Sequence, residues 1–145
     1  MIQGMFDSGA LPVLHRLVQF TEERHKVLTN NVANLSTPYF KPGDLDAKSF
    51  QTALGRAIDK RRAAAHANDG PLALRDTRQL MFRPDRLEVR PQATNDGILY
   101  HDQNNRDLER TMQQLAENTL AHNAAIEMLR NQFAMIQTAI RERVA

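Results

Sequence analysis

Few residues in this chain could do chemistry. It contains five histidines and no cysteine, which excludes a disulfide framework, a thiolate-ligated zinc or iron–sulfur site and a cysteine nucleophile. His25 and His122 fall on the apolar repeats of two separate segments, an arrangement that could hold a metal or act as a pH switch between two helices. No third ligand stands at helical spacing from either, so the reading adopted is that both are half-buried polar positions that set register. Thr21 and Thr119 lie on the same repeats and support that reading, because polar core positions select alignment at a cost in stability. His15, His66 and His101 are isolated. No HExxH, nucleophile elbow, glycine-rich phosphate loop or paired-carboxylate pattern is present, so no enzyme, cofactor or metal is expected.

The remaining chemical signals are electrostatic. Lys60-Arg61-Arg62 with Arg56 could bind nucleic acid or acidic lipid, and a small helical nucleic-acid-binding module is the alternative reading of function. Against it, Asp59 abuts the run, Asp69, Asp76, Asp85 and Glu88 dilute the rest, and the formal net charge is only +2. A solvated or interfacial face accounts for the run better. Asn34-Leu35-Ser36 has the spacing of a glycosylation acceptor, but its place at a helix end explains it more simply. Met112, Met128 and Met135 are gap-filling helix residues, not a metal box.

Two segments must carry the architecture. From Leu11 to Leu35 the sequence steps by four and three through Leu14, Val18, Thr21, His25, Leu28, Val32 and Leu35, a heptad seam. Pro12 suits a first helical turn with Asp7 or Ser8 as its cap, and Thr37-Pro38 stops the helix. The C-terminal segment repeats the pattern through Leu108, Met112, Leu115, Thr119, His122, Ile126, Leu129, Phe133, Ile136 and Ile140, with no Gly or Pro from Gln103 onward. Asp102, Asn104 and Asn105 are its candidate caps, with Asp107 and Glu109 in the first turn and Arg141 and Arg143 in the last.

Between these segments, five of the six prolines fall in 36–103. That region reads as loops with a short helix on Phe50, Leu54, Ala57 and Ile58, weakened at Gly55, and ended by Asn68-Asp69-Gly70-Pro71. A small hairpin is expected between Leu87–Val89 and Ile98–Tyr100, turning at Asn95-Asp96-Gly97. With aromatics at 6% and no Trp, the core should be largely aliphatic. The fold class is therefore mainly α, one elongated domain: an N-terminal coiled-coil helix within 1–35, a loop-rich centre at 36–103 and a C-terminal coiled-coil helix within 104–145. The N-terminus offers neither a secretory signal nor a membrane span.

A heptad helix cannot bury its stripe alone, so the two seams should pack together, antiparallel or parallel. The C-terminal seam is longer by roughly 15 residues, about 20 Å of helix whose apolar positions need a further partner. Other copies of the chain are the first candidates.

The end of the first seam, Asn31-Val32-Ala33-Asn34-Leu35-Ser36-Thr37-Pro38, resembles the N-terminal signature of the axial proteins of the bacterial flagellum, in which an Asn-x-Ala-Asn helix end runs into Thr-Pro. Asn104-Asn105-Arg106-Asp107-Leu108-Glu109, Leu115-Ala116-Glu117-Asn118 and the run to Ala139-Ile140 look specifically like the proximal rod proteins of the basal body. That family usually has Gly after Thr-Pro, where this chain has Tyr39, and Gly before the paired Asn, where it has Gln103. The resemblance implies a subunit that polymerises with copies of itself and with other rod and basal-body proteins, its terminal helices lining a hollow driveshaft. It also implies delivery to the periplasm-spanning rod by the flagellar export apparatus without a cleaved signal. Neither nucleic acid nor a direct membrane span is part of that picture.

Overall fold

A computed structural model describes residues 9–64, 72–93 and 107–144. Helix α1 spans Leu11–Ala33 with Pro12 in its first turn. Its N-cap position is Ala10, whose methyl group makes no capping hydrogen bond, and the expected caps Asp7 and Ser8 lie outside the described residues. Strand β1 is Gly43–Asp44, helix α2 is Ala47–Arg62, strands β2 to β4 are Leu80–Phe82, Leu87–Val89 and Gln92–Ala93, and helix α3 is Leu108–Val144. The chain is mainly helical, with its two long terminal helices packed along each other.

The direction of that pairing follows from Thr21. Its hydroxyl bonds back to the carbonyls of Leu17 and Val18, so it lies toward the N-terminal end of α1, whereas its own carbonyl points toward the C-terminal end. His122 meets the hydroxyl and Asn118 meets the carbonyl. The later α3 residue therefore sits over the earlier part of α1, and the helices run antiparallel. At about 1.5 Å per residue, the 37 residues of α3 outreach the 23 of α1 by about 20 Å. In this register the excess lies at the C-terminal end of α3, beyond about residue 129.

Helix α1 has a second apolar face, and it anchors the centre of the chain. Phe20 joins Leu45, Phe50, Leu54, Leu80 and Leu87 in one buried cluster, edged by Val13, Leu17 and Val27 of α1. Phe20 and Phe50 stack with ring centroids 4.1 Å apart, and Phe82 lies 6.5 Å from Phe50. The buried residues are largely aliphatic, as expected, with the Phe20–Phe50 stack set among the leucines and Phe82 packed at its edge, where the rings cover more apolar surface per residue than Leu can. Asp46 caps α2 by accepting from the backbone of Lys48 and Ser49, and Gly55 leaves the helix unbroken.

Among the described residues, Leu87–Val89 pairs antiparallel in a hairpin with the upstream strand Leu80–Phe82, across the turn Arg83-Pro84-Asp85-Arg86. Leu80 and Leu87 are buried beneath it, so the upstream strand supplies apolar residues to the same core. The turn expected at Asn95-Asp96-Gly97, the segment Ile98–Tyr100 and the helix end at Asn68–Pro71 lie outside the described residues. A second pair joins β1 to β4, Gly43 opposite Ala93.

Candidate assembly surface

Three polar anchors fix α1 to the elements around it. Thr21 meets α3: its Oγ1 is 2.8 Å from His122 Nδ1, and its carbonyl accepts from Asn118 Nδ2 at 2.8 Å. Arg24 meets β1 through a two-point ion pair, Nε to Asp44 Oδ1 at 2.9 Å and Nη2 to Oδ2 at 2.8 Å, with both side chains mostly buried. The Asp44 bond holds the Arg24 guanidinium above its already high range, with Asp44, Glu117 and Asp46 adding charge in the same sense against the cost of burial. Asn31, also buried, reads the backbone of Gly43 twice: Nδ2 donates to its carbonyl at 2.6 Å and Oδ1 accepts from its N–H at 3.1 Å. A side chain at Gly43 would meet Pro91 at 3.2 Å, so the close approach of β1 and β4 favours glycine there.

Asn31 and Asn34 thereby acquire distinct tasks. Asn34 holds the C-terminal end of α1, its Nδ2 donating to the carbonyl of Asn30 and its Oδ1 accepting from Thr37 Oγ1. Ala33 is exposed, Val32 and Leu35 are half-buried, and Thr37 and Pro38 are exposed in the turn that follows. Tyr39, where the resembling family has Gly, takes φ +62°, in the left-handed region that glycine adopts freely. Its ring is 75% exposed, while Phe40 is half-buried in a groove with Val27, Asn30 and Asn31.

The predicted seam residues divide by their surroundings. On α1, Leu14, Thr21 and Leu28 are buried and Val18 is half-buried, but His25 is exposed. His25 is therefore not the half-buried register residue expected, since the heptad turns that position past the edge of the α3 contact and toward water. His122 is half-buried against Thr21, and the described residues contain no cluster of three metal-ligating side chains.

On α3 the apolar heptad and the contact with α1 coincide only in part. Leu115, Thr119, His122, Ile126, Leu129 and Ile136 are half-buried, whereas Leu108, Met112, Phe133 and Ile140 are exposed. The most deeply buried α3 positions are Asn118 and Ala125, both absent from the predicted seam. They share heptad spacing with Leu115, His122, Leu129 and Ile136, and the strip these six form is turned slightly aside from Leu108, Met112, Thr119 and Ile126. Hydrophobicity alone could not find it; the seven-residue interval from Asn118 to Ala125, flanking His122, was the available signal. Asn104 and Asn105 lie outside the described residues. Asp107, expected in the first turn, caps α3: its carboxylate accepts from the N–H of Arg110 and its backbone carbonyl from that of Thr111.

The basic run also has a local explanation. Lys60, Arg61 and Arg62 form the last turn of α2, where positive charge complements the helix dipole. No helix among the described residues is long and apolar enough to cross a membrane. What the geometry offers is a rigid helix pair, braced by a compact module, with much of the apolar surface of α3 uncovered.

No family model matches the chain. It is similar along almost its whole length to curated proteins of one description. The flagellar basal body rod protein FlgB of Bacillus subtilis (strain 168) is 26% identical over 133 residues, 92% of this chain and 94% of the relative. The protein of the same description from Borrelia hermsii is 27% identical, covering 91% of this chain and 96% of its own length. That from Cereibacter sphaeroides (strain ATCC 17029 / ATH 2.4.9) is 28% identical over 83% of this chain and 84% of the relative.

Proposed function

We infer that the chain is a flagellar basal-body rod protein of the FlgB type, a structural subunit with no enzymatic role. The observation that carries this reading is the similarity to rod proteins over about nine tenths of both sequences. The architecture supports it. A helix of 37 residues whose partner spans 23 runs on past it with Phe133 and Ile140 exposed, and Leu108 and Met112 are exposed beside the pairing, a surface suited to contacts with further subunits.

In this reading the terminal segments 1–35 and 104–145 assemble into the rod wall and the centre, 36–103, braces them from outside. The partners are other copies of the chain and other rod and basal-body proteins. Delivery to the periplasm-spanning part of the flagellum through its export apparatus suits seams interrupted by Thr21, Asn118 and His122, since such helices draw much of their stability from packing and can be unfolded for a narrow channel.

The test is genetic and physical. In a strain lacking its own gene for this protein, the intact chain should restore swimming and assembled basal bodies, and Leu129→Asp, which sets a charge into the α1–α3 contact, should restore neither at equal protein level. Failure of the intact chain to restore rods would sink the reading. Steeply salt-dependent binding to DNA would favour the nucleic-acid module instead.

A further inference from the structure

A groove of about 630 Å³ runs between α2 and the segment 73–77, with Ala53, Ala57 and Leu74 in its apolar lining. Three cations stand on its walls, Arg56 and Lys60 from α2 and Arg75 from the facing segment. All three are exposed, and among the described residues none of them has an ion pair or a side-chain hydrogen bond. By contrast, Arg24, Lys26, Arg86 and Arg130 each have a carboxylate beside them. The groove's own carboxylate, Asp76, already accepts from the N–H of Phe82 at 2.8 Å. The dipole of α2 accounts for positive charge at Lys60 in the last turn, but not at Arg56 one turn earlier, nor at Arg75.

We propose that this groove binds an extended acidic segment of another protein, with carboxylates at alternate positions. The spacing of the cations carries the argument. Arg56 and Lys60 are four residues apart on α2, about 6 Å along its axis. Side chains on one side of an extended chain repeat every ~6.6 Å, so an acid-x-acid sequence presents one carboxylate to each cation. Arg75 adds positive charge from the opposite wall. From Ser49 to Lys60 the helical wall is about 16 Å long, the reach of about five extended residues.

The facing segment argues for a peptide over a free anion or a nucleic acid. Leu72 and Leu74 pack against the core while Ala73 and Arg75 are exposed. Leu74 commits its N–H to the carbonyl of Leu72, but the N–H and C=O groups of Ala73 and Arg75 have no partner among the described residues. Such groups can pair with the main chain of a bound segment, and a lone phosphate would use neither them nor the apolar lining. The chain's own acid-x-acid sequences are engaged elsewhere. Asp44-Leu45-Asp46 pairs with Arg24 and caps α2, and Asp107-Leu108-Glu109 begins α3 with Asp107 as its cap. The occupant is therefore a different protein, and the proposal does not depend on the rod reading.

The test titrates isotope-labelled full-length protein, followed by amide NMR, with three end-blocked peptides: Ala-Glu-Ala-Glu-Ala, Ala-Glu-Glu-Ala-Ala and Ala-Gln-Ala-Gln-Ala. The expected result is saturable shifts at Arg56, Lys60, Ala73 and Arg75 with the alternating acidic peptide, several-fold weaker binding of the adjacent-acid peptide, and none of the glutamine peptide. Arg56→Gln, Lys60→Gln and Arg75→Gln should each weaken binding by about threefold to tenfold. Arg62→Gln and Arg78→Gln, at exposed cations outside the groove, should leave it unchanged. These sites are exposed, and circular dichroism checks that each variant keeps its helix content. Shifts scattered over all the cations, equal losses at Arg62 and Arg78, or no saturable shift with either acidic peptide would overturn the proposal. Tighter binding of a single-stranded DNA pentanucleotide through the same residues would overturn it in favour of nucleic acid. Since binding is read on the purified protein and rod function by restored swimming, the two readings fail separately.

Discussion

The hydroxyl of Thr21 lies 2.8 Å from Nδ1 of His122, joining two residues 101 positions apart at the middle of the helix pair. Beside it, Asn118 holds the Thr21 carbonyl, so the strip that joins α1 to α3 is fastened by polar groups where leucines would give more stability and less choice of alignment. Thr21→Val alone leaves the half-buried His122 nitrogen without this partner and should cost about 1–2 kcal/mol. Adding His122→Leu should recover most of that loss, since replacing both partners by apolar groups removes the desolvation penalty along with the bond. Urea denaturation of the two single variants and the double variant measures the coupling; strictly additive losses would mean that the contact contributes nothing.

The Arg24–Asp44 pair makes a sharper demand. Both side chains are mostly buried, at 13% and 19% exposure, and Asp44 also accepts from the N–H of Leu45. Arg24→Met removes one charge and strands the other in a partly desolvated place, at a cost of about 2–3 kcal/mol. Arg24→Lys keeps the charge but loses the two-point geometry, so it should cost about 1 kcal/mol. Equal stability of wild type and Arg24→Met would show that the bond does not tie β1 to α1.

A pH effect is expected at His15. Partial burial, then the neighbouring charge of Arg16, hold its pKa below the ordinary 6.5. The folded state therefore resists protonation more than the unfolded chain does. The stability contribution of the neutral ring is complete above about 6.5 and is lost as the pH falls through the lower folded value. His15→Gln removes that loss, so its urea midpoint should fall less than that of wild type between about pH 7.5 and about pH 5.5. Parallel falls would exclude His15 as a contributor.

The two long helices were legible because heptad spacing over many turns is a redundant signal: Leu14, Leu28, Leu115 and Leu129 each support the same phase. The contact strip was less legible, because Asn118 and Ala125 lie where backbones come close and small size matters more than hydrophobicity. His25 shows the converse, a position in phase with the heptad that the edge of the pairing leaves in water. In the centre, local spacing found α2 but not the upstream partner of Leu87–Val89. That choice depends on Leu80 sharing a core with Phe20 and Phe50, a relation between distant segments that no short window contains. The Asn31–Gly43 pair is similar: a motif marks the asparagine, but only the fold brings a glycine backbone to it.

The turn after α1 yields the last prediction, because it separates two adjacent aromatics. Phe40 is half-buried against α1 and Tyr39 projects outward, 75% exposed, from a backbone at φ +62°. A side chain in that region costs about 1–2 kcal/mol, and glycine escapes the clash while giving back some of the gain through the greater entropy of its unfolded chain. Tyr39→Gly should therefore be more stable than Tyr39→Ala by about 1 kcal/mol, since alanine keeps the strain and both lose the same exposed ring. Phe40→Ser should lower monomer stability, as the loss of a local plug would, while Tyr39→Ser should leave it nearly unchanged. If Tyr39→Ser also abolishes rod assembly in cells, the tyrosine is a contact for a neighbouring subunit and the strain is the cost of presenting it. If swimming persists with both Tyr39→Ser and Tyr39→Gly, the exposed ring has no part in assembly. Equal melting of the Gly and Ala variants would instead show that the left-handed turn is not strained at all.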